Sequence, residues 1–283
     1  MMHIATSSTI TSIQKTMDNE STQPMNLGVA QDDKPVDNSS VGEHFEWISS
    51  SRSHVGCVRT LNEDACLEMI DKQLWVVADG MGGHKAGDVA SRTIIEYMRN
   101  VPYDPIFGTF VENVENQIVA AHQSLTVLGR RLGQIAGSTV VTLLGYGRHA
   151  LIMWAGDSRA YLFRQGAFRQ VSQDHSYVEE LLARGDISPE EAMSHPEANV
   201  ITRAVGAGKD LYLDMDIFEL LHGDVLLLCS DGLYKELDEK TICSIMHRHY
   251  SPALMVQDLV NSCVDRGARD NVTVIAIKVV ERV

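Results

Sequence analysis

From His44 to the C-terminus, short apolar runs alternate with segments in which apolar residues recur at helical spacing. Short runs that are rich in Val, Ile and Leu and bounded by Gly, Asn, Asp or Ser are typical of strands. Runs of this kind predict strands at residues 55–59, 65–70, 74–78, 138–145, 150–155, 160–164, 211–218, 225–229 and 272–279.

Apolar residues at helical spacing predict three clear helices. The third begins with Ser251 as its N-cap and Pro252 at the first helical position, and it ends near Gly267. The apolar faces are Ala90, Ile94, Tyr97 and Met98 in the first helix, Val111, Val114, Ile118, Ala121, Leu125 and Leu128 in the second, and Val256, Leu259, Val260 and Cys263 in the third.

The connections between these elements indicate the fold class. Several strands are separated by short turns, at Gly147 and at Gln165-Gly166, which favour antiparallel hairpins. The helices come in blocks rather than after every strand. The pattern therefore predicts an α+β layered architecture and not a doubly wound parallel sheet.

The polar pattern divides the chain into two parts. Residues 1–45 are rich in Ser, Thr, Asn, Gln and Asp and have little apolar periodicity, so we expect a disordered leader there. Residues 46–283 are numerous enough to bury a sizeable core and are expected to form a single domain.

The composition indicates which binding partners and which cellular compartment to expect. The net charge of −14 argues against nucleic acid, because binding to a phosphate backbone needs a basic surface. No apolar stretch approaches the ~20 residues that span a bilayer, and the N-terminus lacks a secretory pattern. The five cysteines form no C-x-x-C pair, so neither zinc nor disulfides are expected. We expect a cytoplasmic monomer that binds neither nucleic acid nor membrane.

Four aspartates stand where an apolar run leaves or enters the core. Asp79 and Asp231 each end such a run and precede Gly, Asp157 follows another, and Asp270 stands just before one. Any one of them is typical of a turn, because Asp-Gly and Asp-Asn favour turns and loops. If the strands are neighbours, however, the carboxylates meet at one rim, where they repel one another unless a cation intervenes.

The donor chemistry indicates which cation this is. Oxygen donors without clustered His or Cys suit Mg²⁺ or Mn²⁺, whereas zinc favours nitrogen and sulfur. Gly80 and Gly232 add to this interpretation, because a residue without Cβ lets the backbone approach a ligand closely. The histidines are dispersed and predict no site.

Six motifs follow one another along the chain. They are Arg59-Thr60-Leu61-Asn62-Glu63-Asp64, Val77-Ala78-Asp79-Gly80-Met81-Gly82-Gly83-His84, Gly137-Ser138-Thr139, Gly156-Asp157-Ser158-Arg159, Ser230-Asp231-Gly232 and Asp270-Asn271-Val272-Thr273. In this order they resemble the bacterial branch of the PPM family, the type 2C serine/threonine protein phosphatases. The resemblance extends from about residue 53 to the C-terminus. It implies a four-layer αββα sandwich and a binuclear Mn²⁺ or Mg²⁺ centre at one end.

The resemblance also assigns residue roles. It implies that Asp79 bridges both ions, that Gly80 donates its backbone carbonyl, and that Asp231 and Asp270 complete one ion. Asp157 looks like the family's ligand for a third, weaker ion.

Three further residues are assigned to water and substrate. The resemblance implies that Glu63 and Asp64 hold water molecules on the ions and that Arg59 binds the substrate phosphate, to which its planar charged fork is matched. Two ions can activate a water for in-line attack, so no covalent phosphoenzyme is needed. The implied substrates are phosphoserine and phosphothreonine in proteins modified by a cognate kinase, which implies signal transduction.

Two segments depart from this pattern or flank it. Eukaryotic relatives often carry histidine at the position of Met81, so the proton donor for the leaving oxygen is open. His84 is close in sequence but equally suits loop packing, and a metal-bound water is the other candidate. Residues 174–206 resemble the family's flap beside the active site. They are expected to form short polar helices, one starting at Ser188-Pro189, and to shape substrate access.

Other interpretations remain open at the level of sequence. Cys263 to Arg269 matches the C-x5-R spacing of cysteine phosphatases, but Cys263 lies on an apolar helix face. Asp214-Met215-Asp216 is similar to the nucleophile motif of aspartate-based phosphatases, but the alternation there favours an ordinary strand. A catalytically inactive phosphoprotein-binding regulator of the same fold is the alternative from a different class. Such a regulator would not need all of the metal ligands, whereas this sequence contains every ligand that the resemblance implies.

Overall fold

Two antiparallel sheets form the centre of the computed structural model, which describes residues 45–82, 86–193 and 195–282. In spatial order, the first sheet contains β1 (Phe45–His54), β11 (Val272–Glu281), β10 (Val225–Cys229), β7 (Arg159–Arg164) and β8 (Ala167–Gln170). The second contains β2 (Asp64–Met69), β3 (Leu74–Met81), β5 (Val140–Tyr146), β6 (His149–Ala155) and β9 (Asp214–Glu219), and β4 (Gly137–Ser138) pairs with the end of β3.

Helices cover the outer face of each sheet. The pair α1 (Ala86–Arg99) and α2 (Phe107–Leu132) packs on the second sheet, and the pair α6 (Glu239–Arg248) and α7 (Pro252–Asp265) packs on the first. Three short helices lie elsewhere, namely α3 (Tyr177–Arg184), α4 (Pro189–Met193) and α5 (Asp231–Tyr234). The predicted four-layer αββα sandwich is therefore confirmed.

The central strands are apolar throughout because both of their faces are covered. In β3, Trp75 and Val77 pack between the sheets, whereas Val76 packs against the helices α1 and α2. In β10, Leu226 and Leu228 likewise pack between the sheets while their neighbours face α6 and α7. A strand buried on both faces shows a continuous apolar run instead of alternation, which is why these segments were recognisable in the sequence.

The first predicted strand is wrong. Residues 55–59 form a loop, and the strand is the preceding segment β1, which pairs with β11 along its whole length. The serines at 49–51 hide its pattern, because the second half of this edge strand buries no large apolar side chain and pairs with β11 through its backbone. In the loop, the Cys57 amide donates to the Ala268 carbonyl at 2.8 Å instead of joining a ladder.

Besides β1, the strand β8 and the helices α5 and α6 were not predicted. The strand β8 has only four residues and is half-exposed, so it carries little pattern. The helix α6 buries only Ile242, Ile245 and Met246, and its Asp238 cap accepts a hydrogen bond from the Thr241 amide at 2.7 Å. The predicted leader lies outside the described residues except for Phe45, which begins β1. None of the helices in the described segments has the length and apolar character needed to cross a membrane.

A carboxylate-lined pocket as the candidate active site

A pocket of about 890 Å³ opens where strand ends from both sheets meet. Its walls come from the loop after β1, the end of β3, the turn after β6, the start of α5 and the residues before β11. The pocket brings together seven of the eight predicted site residues. These are Arg59, Glu63, Asp79, Gly80, Asp157, Asp231 and Asp270.

The eighth residue, Asp64, is buried beside the pocket as the cross-strand partner of Asp79 in the register of β2 and β3. Residues paired in this way have side chains only about 5 Å apart. Burial raises the pKa of Asp64 to about 7. Burial and the charge of Asp64 together raise the pKa of Asp79 well above its ordinary value. The folded chain thus holds carboxyl groups close together in a site that disfavours their ionised forms.

Ser230 joins the two sheets behind this pair. Its Oγ donates to Asp64 Oδ2 at 2.7 Å and accepts from the Thr273 amide at 3.0 Å. The Ser230 amide in turn donates to the Thr273 carbonyl at 3.0 Å. Sequence reasoning gave Ser230 no role, although its place directly before Asp231 in a motif was the available signal.

Thr139 holds the backbone of Asp79 in place. Its Oγ1 accepts from the Asp79 amide at 3.1 Å, and its own amide donates to the Asp79 carbonyl at 2.8 Å. The same Oγ1 lies 2.7 Å from the Ser158 Oγ, next to Asp157. Thr139 therefore ties together two strand ends that carry carboxylates, a role that was not assigned from the sequence.

Asn271 positions the loop that carries Arg59 and Glu63. Its Oδ1 accepts from the Glu63 amide at 2.8 Å, while its Nδ2 donates to the carbonyls of Val55 at 2.8 Å and Leu61 at 3.0 Å. One buried amide side chain thus satisfies three backbone groups of a loop that has no ladder partner. Its signal in the sequence was its position directly after Asp270.

The backbone of β3 approaches the start of α1 very closely at Gly80. A Cβ on Gly80 would lie 2.1 Å from the Gly87 carbonyl oxygen, and one on Gly87 would lie 2.5 Å from Glu63 Oε1. The Gly80 amide also donates to the Glu63 carbonyl at 3.1 Å. Only glycine fits at either position, and the contact places Glu63 against the pocket.

Basic side chains bind two of the rim carboxylates. Arg59 Nη2 lies 2.8 Å from Asp270 Oδ2 and Lys235 Nζ lies 2.5 Å from Asp231 Oδ2. The Arg59 side chain lines the pocket and is 51% exposed, so about half of its surface is accessible to solvent. In addition, Arg269 lines the pocket and is paired with Glu236 at 2.8 Å.

Apart from Asp88 Oδ1, which is paired with Arg92 at 2.6 Å, three buried carboxylate oxygens of the described residues have no hydrogen-bond partner. They are Glu63 Oε1, Asp64 Oδ1 and Asp157 Oδ1, all within or directly behind the pocket wall. Leaving a buried charged oxygen unpaired is costly, and a cation removes that cost. The oxygen-only donor set suits Mg²⁺ or Mn²⁺, which also retain water ligands. The residues therefore fit divalent ions.

The carboxylates do not by themselves enclose an ion. Across 45–82, 86–193 and 195–282, no three His, Cys, Asp or Glu side chains stand in a ready-made metal cluster. This agrees with the pairing of Asp231 and Asp270 to basic side chains. Each pairing engages only the Oδ2 atom of its carboxylate, so Oδ1 of Asp231 and Oδ1 of Asp270 are not bound by a basic side chain.

The buried carboxyl groups predict that the metal-free protein loses stability as the pH rises from 5 to 8. Asp64 and Asp157 have pKa values of about 7 in the folded protein, whereas unfolded Asp titrates near about 4. Between these values the folded chain binds more protons than the unfolded chain, so its stability falls as the pH rises. In the presence of a chelator, the melting temperature is expected to drop by about 5 °C or more from pH 5 to pH 8.

Calorimetry across this pH range measures the effect directly. Added Mn²⁺ should remove most of the decline, because it stabilises the ionised carboxylates. A melting temperature that rises with pH in the chelated protein would contradict the assignment of raised pKa values.

The nucleophile candidates of the two competing motifs lie away from the pocket lining, although Arg269 of the cysteine motif belongs to it. Cys263 is fully buried in α7, and burial raises the pKa of its thiol to about 12, so it is held as a neutral thiol. Asp214 and Asp216 lie on β9, where Asp214 pairs with Arg203. Neither motif has the surroundings of a nucleophile.

The flap, defined here as residues 174–206, forms one side of the pocket. It contains the helices α3 and α4, as predicted, and His195, Ala198, Asn199 and Ile201 face the pocket from it. Backbone bonds close its base, from Tyr177 N to Val200 O at 2.9 Å and from Thr202 N to His175 O at 2.8 Å. Met81 also lines the pocket, whereas His84 lies outside the described residues.

Comparisons with known proteins agree with this arrangement. The model of the family "Protein phosphatase 2C" matches residues 52–267. The serine/threonine phosphatase stp of Listeria welshimeri is 32% identical over 80% of this chain and 94% of its own length. PstP of Mycobacterium tuberculosis is also 32% identical, over 82% of this chain, which spans 45% of that longer protein.

Solved structures extend the likeness to three dimensions. PppA of Pseudomonas aeruginosa superposes with a TM-score of 0.78 at 39% identity and covers 84% of this chain and 99% of its own. The catalytic domain of PstP in complex with two manganese ions superposes with a TM-score of 0.73 at 31% identity and covers 83% and 98%. Fold, pocket and relatives together define a phosphoric monoester hydrolase that depends on metal ions.

The chain belongs to the protein phosphatase 2C family. It is accordingly a serine/threonine protein phosphatase, and the resemblance drawn from its six motifs is confirmed.

Proposed function

We propose that this phosphatase removes phosphate from serine and threonine residues of proteins that a cognate kinase has modified, as a cytoplasmic monomer in a signalling pathway. Its pocket would hold two divalent ions, Mn²⁺ or Mg²⁺. The main support is that three buried carboxylate oxygens without partners surround one pocket in a fold shared with a manganese-bound relative.

Three carboxylates and one backbone carbonyl are proposed to bind the ions. Asp79 is the cross-strand partner of Asp64 and lines the pocket, and on the family resemblance it is proposed as the carboxylate that would hold both ions. Asp231 and Asp270 face it from the other sheet, and the Gly80 carbonyl is brought near by the close approach to α1. When bound, the ions supply an activated water and neutralise charge on the phosphoryl group.

Glu63 and Asp64 are proposed to orient that water. Both present a buried oxygen without a partner, and the bonds from Asn271 and Ser230 fix their positions. Burial raises the pKa of both carboxyl groups, which suits groups that exchange protons near neutral pH.

The substrate phosphate is proposed to bind at the pocket mouth against Arg59. One of its five N–H donors suffices for the bond to Asp270, so the others are available for phosphate oxygens. Arg269 adds a second exposed positive charge on this side. The overall negative charge of the chain is thus compatible with a phosphorylated substrate.

A metal-dependence assay tests the proposal. The purified chain should hydrolyse a phosphothreonine peptide in the presence of Mn²⁺ and lose at least about 99% of this activity when a chelator is added. Alkylating the thiols, or replacing Cys263 by serine, should leave most of the activity intact, because that thiol lies outside the pocket.

Two outcomes would contradict the proposal. Activity that survives chelation but is lost on alkylation would favour the cysteine motif. A chain that binds phosphopeptide and Mn²⁺ without turnover would instead be the inactive regulator considered above.

A further inference from the structure

Lys235 is a basic residue among the carboxylates that line the pocket. It directly follows α5 and lies four residues after Asp231, so the helical turn carries its ammonium back over that carboxylate. The side chain is 34% exposed and that of Asp231 is 14% exposed, so this pair is more protected than an ordinary surface ion pair. Lys235 also lines the pocket.

The same turn of chain lies against Asp157. The Tyr234 hydroxyl donates to the Asp157 carbonyl at 3.0 Å and lies 3.4 Å from Asp157 Oδ2. The ring of Tyr234 is covered by the Arg159 guanidinium at 3.6 Å, which fixes α5 at this place. Lys235 and Asp157 therefore face the same corner, where their charges attract each other.

Asp157 supplies the second observation. It is only 5% exposed, and its Oδ1 is one of the buried oxygens without a hydrogen-bond partner. The corner between Asp157 and Asp231 thus contains two carboxylates and one ammonium. A divalent ion entering it would have to displace that ammonium or bind beside a like charge, and both are unfavourable.

We infer that Lys235 takes the place of a third divalent ion at the corner between Asp157 and Asp231. The inference rests on the proposed metal-dependent function, because it assumes that two ions bind elsewhere in the pocket. It changes the expectation for Asp157. This carboxylate is balanced by a side chain of the protein itself, and it becomes a metal ligand only when Lys235 is removed.

Counting bound Mn²⁺ tests the inference without measuring turnover. The full chain is titrated with Mn²⁺, and the free ion is followed by electron paramagnetic resonance. The unmodified protein should bind two ions, whereas Lys235→Met should bind a third at least about tenfold more tightly than any third binding event in the unmodified protein. Lys235→Arg, which keeps the charge, should bind two.

Two further variants make the result specific. Lys240→Met removes an exposed lysine of α6 and should leave the count at two. The double variant Lys235→Met/Asp157→Asn should lose the third ion again, because the carboxylate that receives it is gone. Circular dichroism melts of each variant verify that it is folded.

The outcomes separate the two proposals. Three ions bound equally well by the unmodified protein and by Lys235→Met would overturn the role of Lys235 and leave the metal-dependent function standing. No Mn²⁺ bound by any folded variant would overturn both. Two ions in the unmodified protein and three in Lys235→Met alone would support the inference.

Discussion

Replacing Asp79 by asparagine is expected to lower turnover about 1,000-fold and, at the same time, to stabilise the metal-free protein. The loss of turnover follows because this carboxylate is proposed to hold both ions, whose contribution is worth several kcal/mol, with about 1.4 kcal/mol for each factor of ten. The metal-free protein gains stability because the amide of asparagine carries no charge beside Asp64. We expect about 2 kcal/mol, or about 5 °C in melting temperature at pH 8.

Asp224→Asn is the matched control. Asp224 is more buried than Asp79, at 1% exposure, and its carboxylate accepts from Arg164 Nε at 2.9 Å, from Arg164 Nη2 at 2.6 Å and from the Leu221 amide at 2.8 Å. Its replacement should cost about 2 kcal/mol of stability and leave turnover nearly unchanged. Phosphopeptide hydrolysis with Mn²⁺ and calorimetry in chelator are measured on both variants. Asp79→Asn that retains activity, or that destabilises the metal-free fold as Asp224→Asn does, would refute this assignment.

Gly80→Ala is expected to destabilise the domain by about 3 kcal/mol and to abolish Mn²⁺ binding. The added Cβ meets the carbonyl oxygens of Gly87 at 2.1 Å and Glu63 at 2.7 Å, and backbone atoms cannot move aside as a side chain does. Separating β3 from α1 also moves Glu63 away from the pocket. The melting temperature should fall by about 10 °C.

Gly208→Ala controls for the loss of a glycine as such. Its backbone has φ +77°, and a Cβ there meets no atom within 4 Å, so only about 1 kcal/mol of backbone strain is expected. Mn²⁺ binding should be unaffected. Equal losses of stability in the two variants would show that the close approach at Gly80 is not the cause.

The central strands were recognisable from the sequence because they are buried on two faces. β3, β10 and β11 carry continuous apolar runs because one side packs between the sheets and the other against helices. The edge strand β1 escaped notice, since its partner β11 supplies backbone bonds that a polar sequence accepts equally well. Pairing between residues more than 200 positions apart leaves no local trace.

In the candidate site, too, some residues were recognisable from the local sequence and others were not. The carboxylates were identifiable because each stands at the end of an apolar run, and the structure does bring them into one pocket. Ser230, Thr139 and Asn271 were not assigned, because each acts through hydrogen bonds to residues distant in the chain. The ion pairs of Lys235 and Arg59 depend on side-chain placement within the folded pocket, which motif order does not encode.

The flap is held at its base by backbone hydrogen bonds, so its length can change without disturbing the sheets. Backbone bonds at Tyr177 and Thr202, and the isolated bridge between Ser176 and Ile201, join the two ends of this loop independently of what lies between them. Lengthening a loop whose ends are already fixed costs little free energy. We therefore expect the intervening stretch to accept insertions and deletions that change which phosphoproteins reach the pocket without disturbing the residues that line its other walls.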